Sequence, residues 1–103
     1  MRLEKVIIPD AKLGYLLNWR EKDDKSGLVK RLGFTAEEPE RLRQAILMLV
    51  ANNDAVPDGA NKFGNFYTVT GDLLGPSGAK SLTTVWMQRY GKGVYRFVTL
   101  RPE

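Results

Sequence analysis

The sequence predicts an α+β fold, in which a short N-terminal strand and two to three helices precede a three- to four-stranded antiparallel sheet packed on the main helix. Apolar residues recur at helical spacing between residues 39 and 51. After residue 62, β-branched and aromatic residues dominate three segments. The chain has 103 residues, 43% of them hydrophobic, which suits a single core, so we expect one domain over residues 1–103.

A short strand and a short helix are predicted first. Residues 5–8 form an apolar run that ends at Pro9, as in an edge strand, where a missing N–H donor is tolerated. Asp10 then suits a helix cap, and over residues 11–18 the leucines share one helical face. Residues 20–26 alternate charges without apolar anchors, which is typical of a solvated loop.

The main helix follows a connector. We expect one helical turn capped by Ser26 and ended by Gly33. The main helix then starts either with a capping box at Thr35 or with Glu38 as the cap and the next proline first. Leu47 falls on its polar side, so the helix is apolar more than halfway round, which indicates a second packing layer or a partner surface.

Three antiparallel strands are predicted after a turn-rich loop over residues 52–61. The predicted strands are residues 63–74, 80–89 and 94–100. Their connections are too short for the crossover that parallel strands need. Both faces carry apolar residues, with Tyr95 and Phe97 alternating with aliphatic neighbours, so we expect a loop, a dimer mate or another protein to cover the second face.

Composition restricts the chemistry. The chain has no cysteine and no histidine, which excludes disulfides, thiolate nucleophiles and Ser-His, Cys-His or zinc-hydrolase catalysis. Glu21, Asp23 and Asp24 lack the spacing of a calcium loop, and we expect no metal ion and no cofactor. No 18-residue apolar run and no secretion signal occur, so we expect a cytoplasmic protein without a membrane partner.

The net charge of +4 is unevenly distributed. Residues 1–60 hold ten basic and ten acidic side chains, whereas residues 61–103 hold six and two. This asymmetry indicates an anionic partner, either nucleic acid or an acidic protein, with a mildly basic domain that binds neither as the alternative.

The segment GPSGAKS, residues 75–81, matches a phosphate-binding P-loop only in its last two positions. Ala79 stands where that motif needs a glycine before Lys80, and the following residues favour a strand rather than a helix. We therefore predict a hairpin turn around Pro76, with no nucleotide ligand. Residues 91–93, GKG, are likewise predicted to form a hairpin tip.

Motifs along nearly the whole chain resemble a family of small, uncharacterised bacterial domains. They are YLLNW at residues 15–19, KS at 25–26, LGFT at 32–35, FGNFYTVTGDLLGPSG at 63–78, TTVWM at 83–87 and RFVTLRP at 96–102. That family is similar to terminal modules of polymorphic bacterial toxins and of some phage head proteins, which are placed near the barnase, EndoU, colicin and RelE-like ribonucleases. The resemblance implies a ribonuclease-like fold with helices before an antiparallel sheet.

The same resemblance implies a toxin-like domain of a bacterial conflict or toxin-antitoxin system, with RNA and an acidic antitoxin as expected partners. The homodimer mate expected at the apolar sheet face is the other possible partner. The toxin modules carry a histidine in the loop after YLLN and an arginine before TVW. Here residues 19–22 lack the histidine and Thr83 replaces the arginine, so any ribonuclease activity would depend on lysine, arginine and tyrosine. The nucleic-acid-binding candidates, expected to converge on one concave patch, are Lys80, Arg89, Arg96 and Arg101. The catalytic candidates are Tyr67 and Tyr95 as proton relays, with Arg89 and Arg96.

The alternative function is a non-catalytic protein-interaction module, either a dimer or an accessory protein. It would use the apolar sheet face and Leu47. Under this alternative, each candidate residue is a solvated strand charge or a half-buried aromatic.

Overall fold

Helices precede the sheet along the chain. The computed structural model describes residues 1–17 and 24–103, with all side chains except those of residues 24–26. Its elements are β1 (Val6–Ile7), α1 (Asp10–Leu17), α2 (Asp24–Arg31), α3 (Pro39–Asn52), β2 (Ala55–Ala60), β3 (Gly64–Gly75), β4 (Gly78–Arg89) and β5 (Tyr95–Pro102). The α+β prediction is confirmed, with five strands instead of three or four. None of the described helices has both the length and the apolar character needed to cross a membrane.

The five strands form one sheet in the order β1-β5-β4-β3-β2. The strands β2 to β5 are antiparallel to their neighbours, as predicted, whereas β1 adds to the edge of β5 in parallel. Gly75 pairs with Gly78 across a two-residue turn, which confirms the hairpin predicted for this segment. Lys80 therefore lies on a strand, whereas the lysine of a P-loop lies where a helix begins.

The core lies between the helices and one face of the sheet. Strand side chains from Val69, Leu73, Trp86 and Leu100 join the buried leucines of α1 and α3 in one hydrophobic cluster. The Trp86 and Phe97 rings meet edge to face, with their centroids 5.3 Å apart. We call this side the inner face of the sheet and the opposite side the outer face.

A β-bulge in the pairing of β4 with β5 corrects the predicted side-chain alternation. The register shifts between Val85 and Trp86, so that Phe97 and Leu100 both lie on the inner face although they are three residues apart. The simple alternation assigned them to opposite faces, because a bulge adds one residue that sequence periodicity does not reveal.

Two helix predictions need correction. α2 begins at Asp24, so residues 24–26 are helical rather than part of a loop, and Ser26 lies inside the helix rather than at its cap. Burial of Leu28 and Val29 against the core explains a longer helix than the local charges suggest. The predicted loop residues 20–23 lie outside the described part of the chain.

α3 begins at Pro39, which decides between the two predicted starts. Glu38 occupies the cap position but forms no side-chain capping hydrogen bond. Arg43 of α3 donates through Nη2 to the carbonyl of Ile8 at 3.0 Å and also to Asp10. The hydrogen bond that Arg43 donates to Asp10 raises the pKa of the Arg43 guanidinium above its ordinary value, and it ties α3 to the start of α1.

The predicted loop over residues 52–61 contains the strand β2. Ala55 pairs with Val69 and is 5% exposed, while the rest of β2 is solvent-exposed. The sequence AVPDGA has low strand propensity, and the pairing shifts between Pro57 and Ala60. A proline and a bulge are tolerated because β2 is the edge strand of the sheet.

Candidate nucleic-acid interface

Three basic side chains line one cavity at an end of the sheet. Arg89 is the last residue of β4, and the amide of Lys92 donates to the Arg89 carbonyl at 3.0 Å in the turn that follows. Arg96 lies on β5, beside Ile7 of β1. Together with Val94 these residues enclose a cavity of about 430 Å³. The β4–β5 connection and the short strand β1 thus bring the three cations together.

The cavity has no neutralising side chain of its own. Its lining contains no carboxylate. Across the described part of the chain, no ion pair involves Arg89, Lys92 or Arg96; the acidic partners Asp10, Glu38, Glu40 and Asp54 belong to bridges elsewhere. Clustered cations without counter-charges create a positive potential that attracts a polyanion.

Two exposed aromatic rings lie at the same end of the sheet. Phe63 precedes β3 and Tyr90 follows β4, and their side chains are 58% and 56% exposed. The amide of Tyr90 donates to the Phe63 carbonyl at 3.2 Å, so the two residues face each other across the strand ends. Lys62 places its ammonium 5.2 Å from the centroid of the Phe63 ring.

Asn61 holds this arrangement in place. Its side-chain oxygen accepts hydrogen bonds from the amides of Phe63 at 2.8 Å and Gly64 at 3.2 Å. Its main-chain carbonyl accepts the hydroxyl of Tyr90 at 3.0 Å. The rings are therefore positioned by a folded turn rather than by a loose loop. We name this region the basic end, and it consists of Lys62, Phe63, Arg89, Tyr90, Lys92 and Arg96.

The outer face of the sheet extends away from the basic end as a half-exposed surface. Phe66, Met87 and Arg96 occupy neighbouring positions on β3, β4 and β5. Further along, Val85 is 9% exposed yet does not belong to the core cluster. The outer face therefore carries apolar side chains outside the core cluster, and at Val85 they are already largely shielded from solvent.

The candidate nucleic-acid-binding residues are only partly brought together. Arg89 and Arg96 share the cavity described above. Arg101 lies on the outer face opposite Thr83, about 13 Å along β4 from the position of Arg96. Lys80 is opposite Leu73 near the other hairpin turn, about 30 Å along β4 from Arg89. The single concave patch expected for all four side chains is therefore not formed.

The candidate catalytic tyrosines lie apart from the arginines. The rings of Tyr67 and Tyr95 meet edge to face, with centroids 5.3 Å apart, and both side chains pack against the core cluster. Strand alternation places them on the inner face, whereas Arg96 is on the outer face. The structure thus joins the two tyrosines to each other but not to Arg96.

Sequence reasoning missed four members of the basic end: Lys62, Phe63, Tyr90 and Lys92. The signal was present in the pairs Lys62-Phe63 and Arg89-Tyr90, which flank the ladder of β3 with β4. Their register could have been extended from the hairpin turn at residues 76–77, because an antiparallel ladder fixes which residues face each other.

Other positions singled out by the toxin resemblance and the acidic pattern add little to the site. Residues 19–22, where the toxin modules carry a histidine, lie outside the described part of the chain. The acidic residues Glu21 and Asp23 lie in the same undescribed segment. Thr83, at the place of the toxin arginine, is 8% exposed, and its hydroxyl lies 2.9 Å from that of Thr70. Position 83 therefore presents a paired hydroxyl at the centre of the outer face.

A second concave surface runs along α3. Leu47, Met48 and Leu74 are among the residues that line a groove of about 1000 Å³ between α3 and the turn of the β3–β4 hairpin. Met48 is 55% exposed and Leu74 is 56% exposed. Leu47, predicted on the polar side of the helix, is half-buried and packs against the core cluster. The groove is thus open and largely apolar.

Comparison with known proteins places the chain in one family. A family model described as Domain of unknown function (DUF6883) matches residues 1–103. No curated protein and no solved structure matches the chain. Because the family model covers the whole chain, the chain belongs to the DUF6883 family.

Proposed function

We propose that this DUF6883 domain binds RNA through the basic end of its sheet, as a toxin-like domain of a bacterial conflict or toxin-antitoxin system. The observation that carries the proposal is the cavity where Arg89, Lys92 and Arg96 meet without a carboxylate in the lining. Phosphate groups are the counter-charges that such a cluster selects, and backbone phosphates supply most of the affinity for nucleic acid.

The toxin-like setting is supported by the motifs that this chain shares in pattern with toxin modules. In that setting the partner is an acidic antitoxin that binds the basic end. The bound antitoxin would exclude RNA, because one surface cannot hold RNA and a second polyanion at once. Catalysis is a separate part of the proposal. A ribonuclease needs a proton acceptor beside the bound phosphate. The pair Tyr67 and Tyr95 lies on the other face of the sheet from Arg96, so it does not supply that acceptor at the basic end.

The binding experiment measures fluorescence anisotropy of a labelled RNA oligonucleotide against protein concentration at several salt concentrations. We expect the affinity to fall steeply as salt rises, because bound phosphates release counter-ions. The triple variant Arg89→Ala, Lys92→Ala, Arg96→Ala should bind far more weakly, with its logarithmic salt slope reduced by about 2.

The matched control removes three exposed basic side chains from the helical side: Lys30→Ala, Arg31→Ala and Arg41→Ala. It has the same net charge as the triple variant, so it should bind RNA much more tightly than that variant. Arg101→Ala should also have a smaller effect than Arg96→Ala, because Arg101 lies outside the cavity. Equal losses in the two triple variants would contradict a localised site.

Expression in bacteria tests the catalytic part. An active ribonuclease should arrest growth, and the triple variant should relieve that arrest. Harmless high-level production of the unchanged domain would argue against catalysis while leaving RNA binding as the proposal.

A second candidate function, homodimerisation, is favoured by the apolar groove beside α3. The residues that line the groove include Glu40 and Arg41, which are already ion-paired within the chain to Arg43 and Glu38, so the apolar lining would carry a two-fold contact. Met48 and Leu74 would supply the apolar centre of that contact. Sedimentation of the free domain tests this candidate: self-association that salt leaves unchanged, together with no RNA binding, would favour the dimer.

A further inference from the structure

The exposed rings of the basic end indicate which form of nucleic acid the site takes. We infer that the basic end binds single-stranded RNA, with unpaired bases stacked on Phe63 and Tyr90. This inference rests on the proposed RNA binding and adds to it the state of the bases. Every base has a flat π-face, so aromatic side chains beside a cationic cluster suit single strands of many sequences.

The first step of the argument is exposure. Phe63 and Tyr90 are each more than half exposed, although a ring of this size gains more than most side chains by burial. In a domain whose core already holds Trp86 and Phe97, two open rings at one end of the sheet leave apolar area that the fold does not bury. Stacked bases would cover that area.

The second step is preorganisation. Asn61 fixes the turn before β3 and also accepts the Tyr90 hydroxyl, so the rings pay little ordering cost when a base binds. The Lys62 ammonium lies over one face of the Phe63 ring, which leaves the opposite face for a base. In the described structure the two rings form no ring pair with each other.

The third step is the position of the charges relative to the rings. Arg89 directly precedes Tyr90, and Lys92 lies two residues beyond it, in the same turn. Strand alternation directs Arg89 to the outer face and Tyr90 to the other side of the strand end. A strand bound to both must therefore pass around the end of the sheet, from phosphates at Arg89 and Lys92 to bases at the rings. In a duplex the bases are already stacked and paired, so their faces are not available to these rings.

The test compares three labelled or competing polyanions: a single-stranded RNA oligonucleotide, a duplex RNA of the same length, and inorganic polyphosphate. We expect Phe63→Ala and Tyr90→Ala each to weaken single-strand binding by roughly 5- to 100-fold. Binding of polyphosphate should change by less than about twofold, because phosphate contacts remain. The unchanged domain should prefer the single strand over the duplex.

Two conservative variants guard against a folding artefact. Tyr90→Phe retains the ring and loses only the hydrogen bond to Asn61, so it should bind single strands much better than Tyr90→Ala. Phe63→Leu retains apolar bulk without a π-face and should bind nearly as weakly as Phe63→Ala. Circular dichroism and thermal unfolding confirm that each variant is folded.

The outcomes separate this inference from the proposed function. If alanine at both ring positions leaves single-strand affinity unchanged, or if the duplex binds as tightly as the single strand, the stacking inference is wrong while charge-driven binding stands. If Arg96→Ala leaves the binding of RNA and polyphosphate unchanged, the proposed function itself fails.

Discussion

A single hydroxyl organises the polar groups at the centre of the core. Thr84 is fully buried, and its Oγ1 accepts a hydrogen bond from Trp86 Nε1 at 2.8 Å. The same hydroxyl donates to the carbonyl of Val69 on the neighbouring strand at 2.9 Å. The buried indole therefore has a partner, as a tryptophan in an apolar core requires.

Thr84→Val should lower the free energy of unfolding by about 1–3 kcal/mol. Valine has nearly the shape of threonine, but it leaves the Trp86 donor and the Val69 carbonyl without their partner in a buried place. Urea unfolding followed by circular dichroism measures the change.

A double-mutant cycle with Trp86→Phe isolates the hydrogen bond between the two side chains. In the Trp86→Phe background the donor is absent, so Thr84→Val should cost less than it does in the unchanged chain. Interacting neighbours show coupling of about 0.5 kcal/mol or more, and coupling near zero would contradict the role given to this hydroxyl.

Sequence alone predicts part of this residue-level arrangement. The alternation of Leu82, Thr84 and Trp86 puts the three side chains on one face, and the structure places all three in the core. The contact with Val69 depends on the register of β3 with β4, which a local pattern does not contain.

At the scale of elements, the β3–β4 hairpin is anchored to the end of α2. The amide of Ser77 in the turn donates to the carbonyl of Leu32 at 2.9 Å. Gly75 passes so close to this carbonyl that an added Cβ would lie 2.2 Å from the Leu32 oxygen. The glycine is therefore required by the close approach of two backbones.

Gly75→Ala should destabilise the domain by about 1–3 kcal/mol, because either the hairpin turn or the end of α2 must move. Gly93→Ala is the matched control, since an added Cβ at position 93 meets nothing within 4 Å. Thermal unfolding of both variants checks the prediction, and a similar loss in the control would show that packing at Leu32 is not the cause.

The elements that could not be predicted from the sequence are those whose formation depends on tertiary contacts. α3 has apolar residues at helical spacing and was found within one residue of its structural end. β2 has a proline, an aspartate and a glycine in six residues, and only pairing with β3 makes it a strand. The early start of α2 likewise depends on the burial of Leu28 and Val29.

In the whole molecule, the charged side chains that form ion pairs and the cations without ion pairs lie in different regions of the described chain. The ion pairs of the described residues join the first two residues to Asp54 and connect α3 with α1 and with the residue before α3, as in Arg43 with Asp10 and Arg41 with Glu38. The cations of the basic end have no such partners in that part of the chain. Like charges gathered in one place repel each other, so we expect them to lower the stability of the free domain.

Arg96→Gln should therefore raise the free energy of unfolding of the free domain by a few tenths of a kcal/mol at low salt, while it weakens RNA binding. The gain should disappear in about 1 M salt, where the Debye length is roughly 3 Å. Urea unfolding at both salt concentrations measures it. Arg101→Gln, outside the cavity, should give a smaller gain; destabilisation by Arg96→Gln at low salt would contradict the repulsion argument.

For the basic end, the sequence predicted the excess of positive charge and two of the arginines, but not which side chains meet. The excess of positive charge after residue 60 indicated an anionic partner, and Arg89 and Arg96 do share a cavity. Which cations meet depends on sheet register and on β1, whose two residues join β5 from the other end of the chain. Phe63, the first residue of a predicted strand, and Tyr90, in a predicted connection, were missed because a local pattern does not show which residues meet at a strand end.

The irregular edge strand β2 also affects how copies of the domain behave when crowded. A regular, exposed edge offers a template on which other chains can add strands and grow into insoluble fibrils. Pro57 lacks the N–H such growth needs, and the shifted pairing up to Ala60 disturbs the regular ladder beside it. We therefore expect this edge to resist cross-β aggregation in concentrated samples.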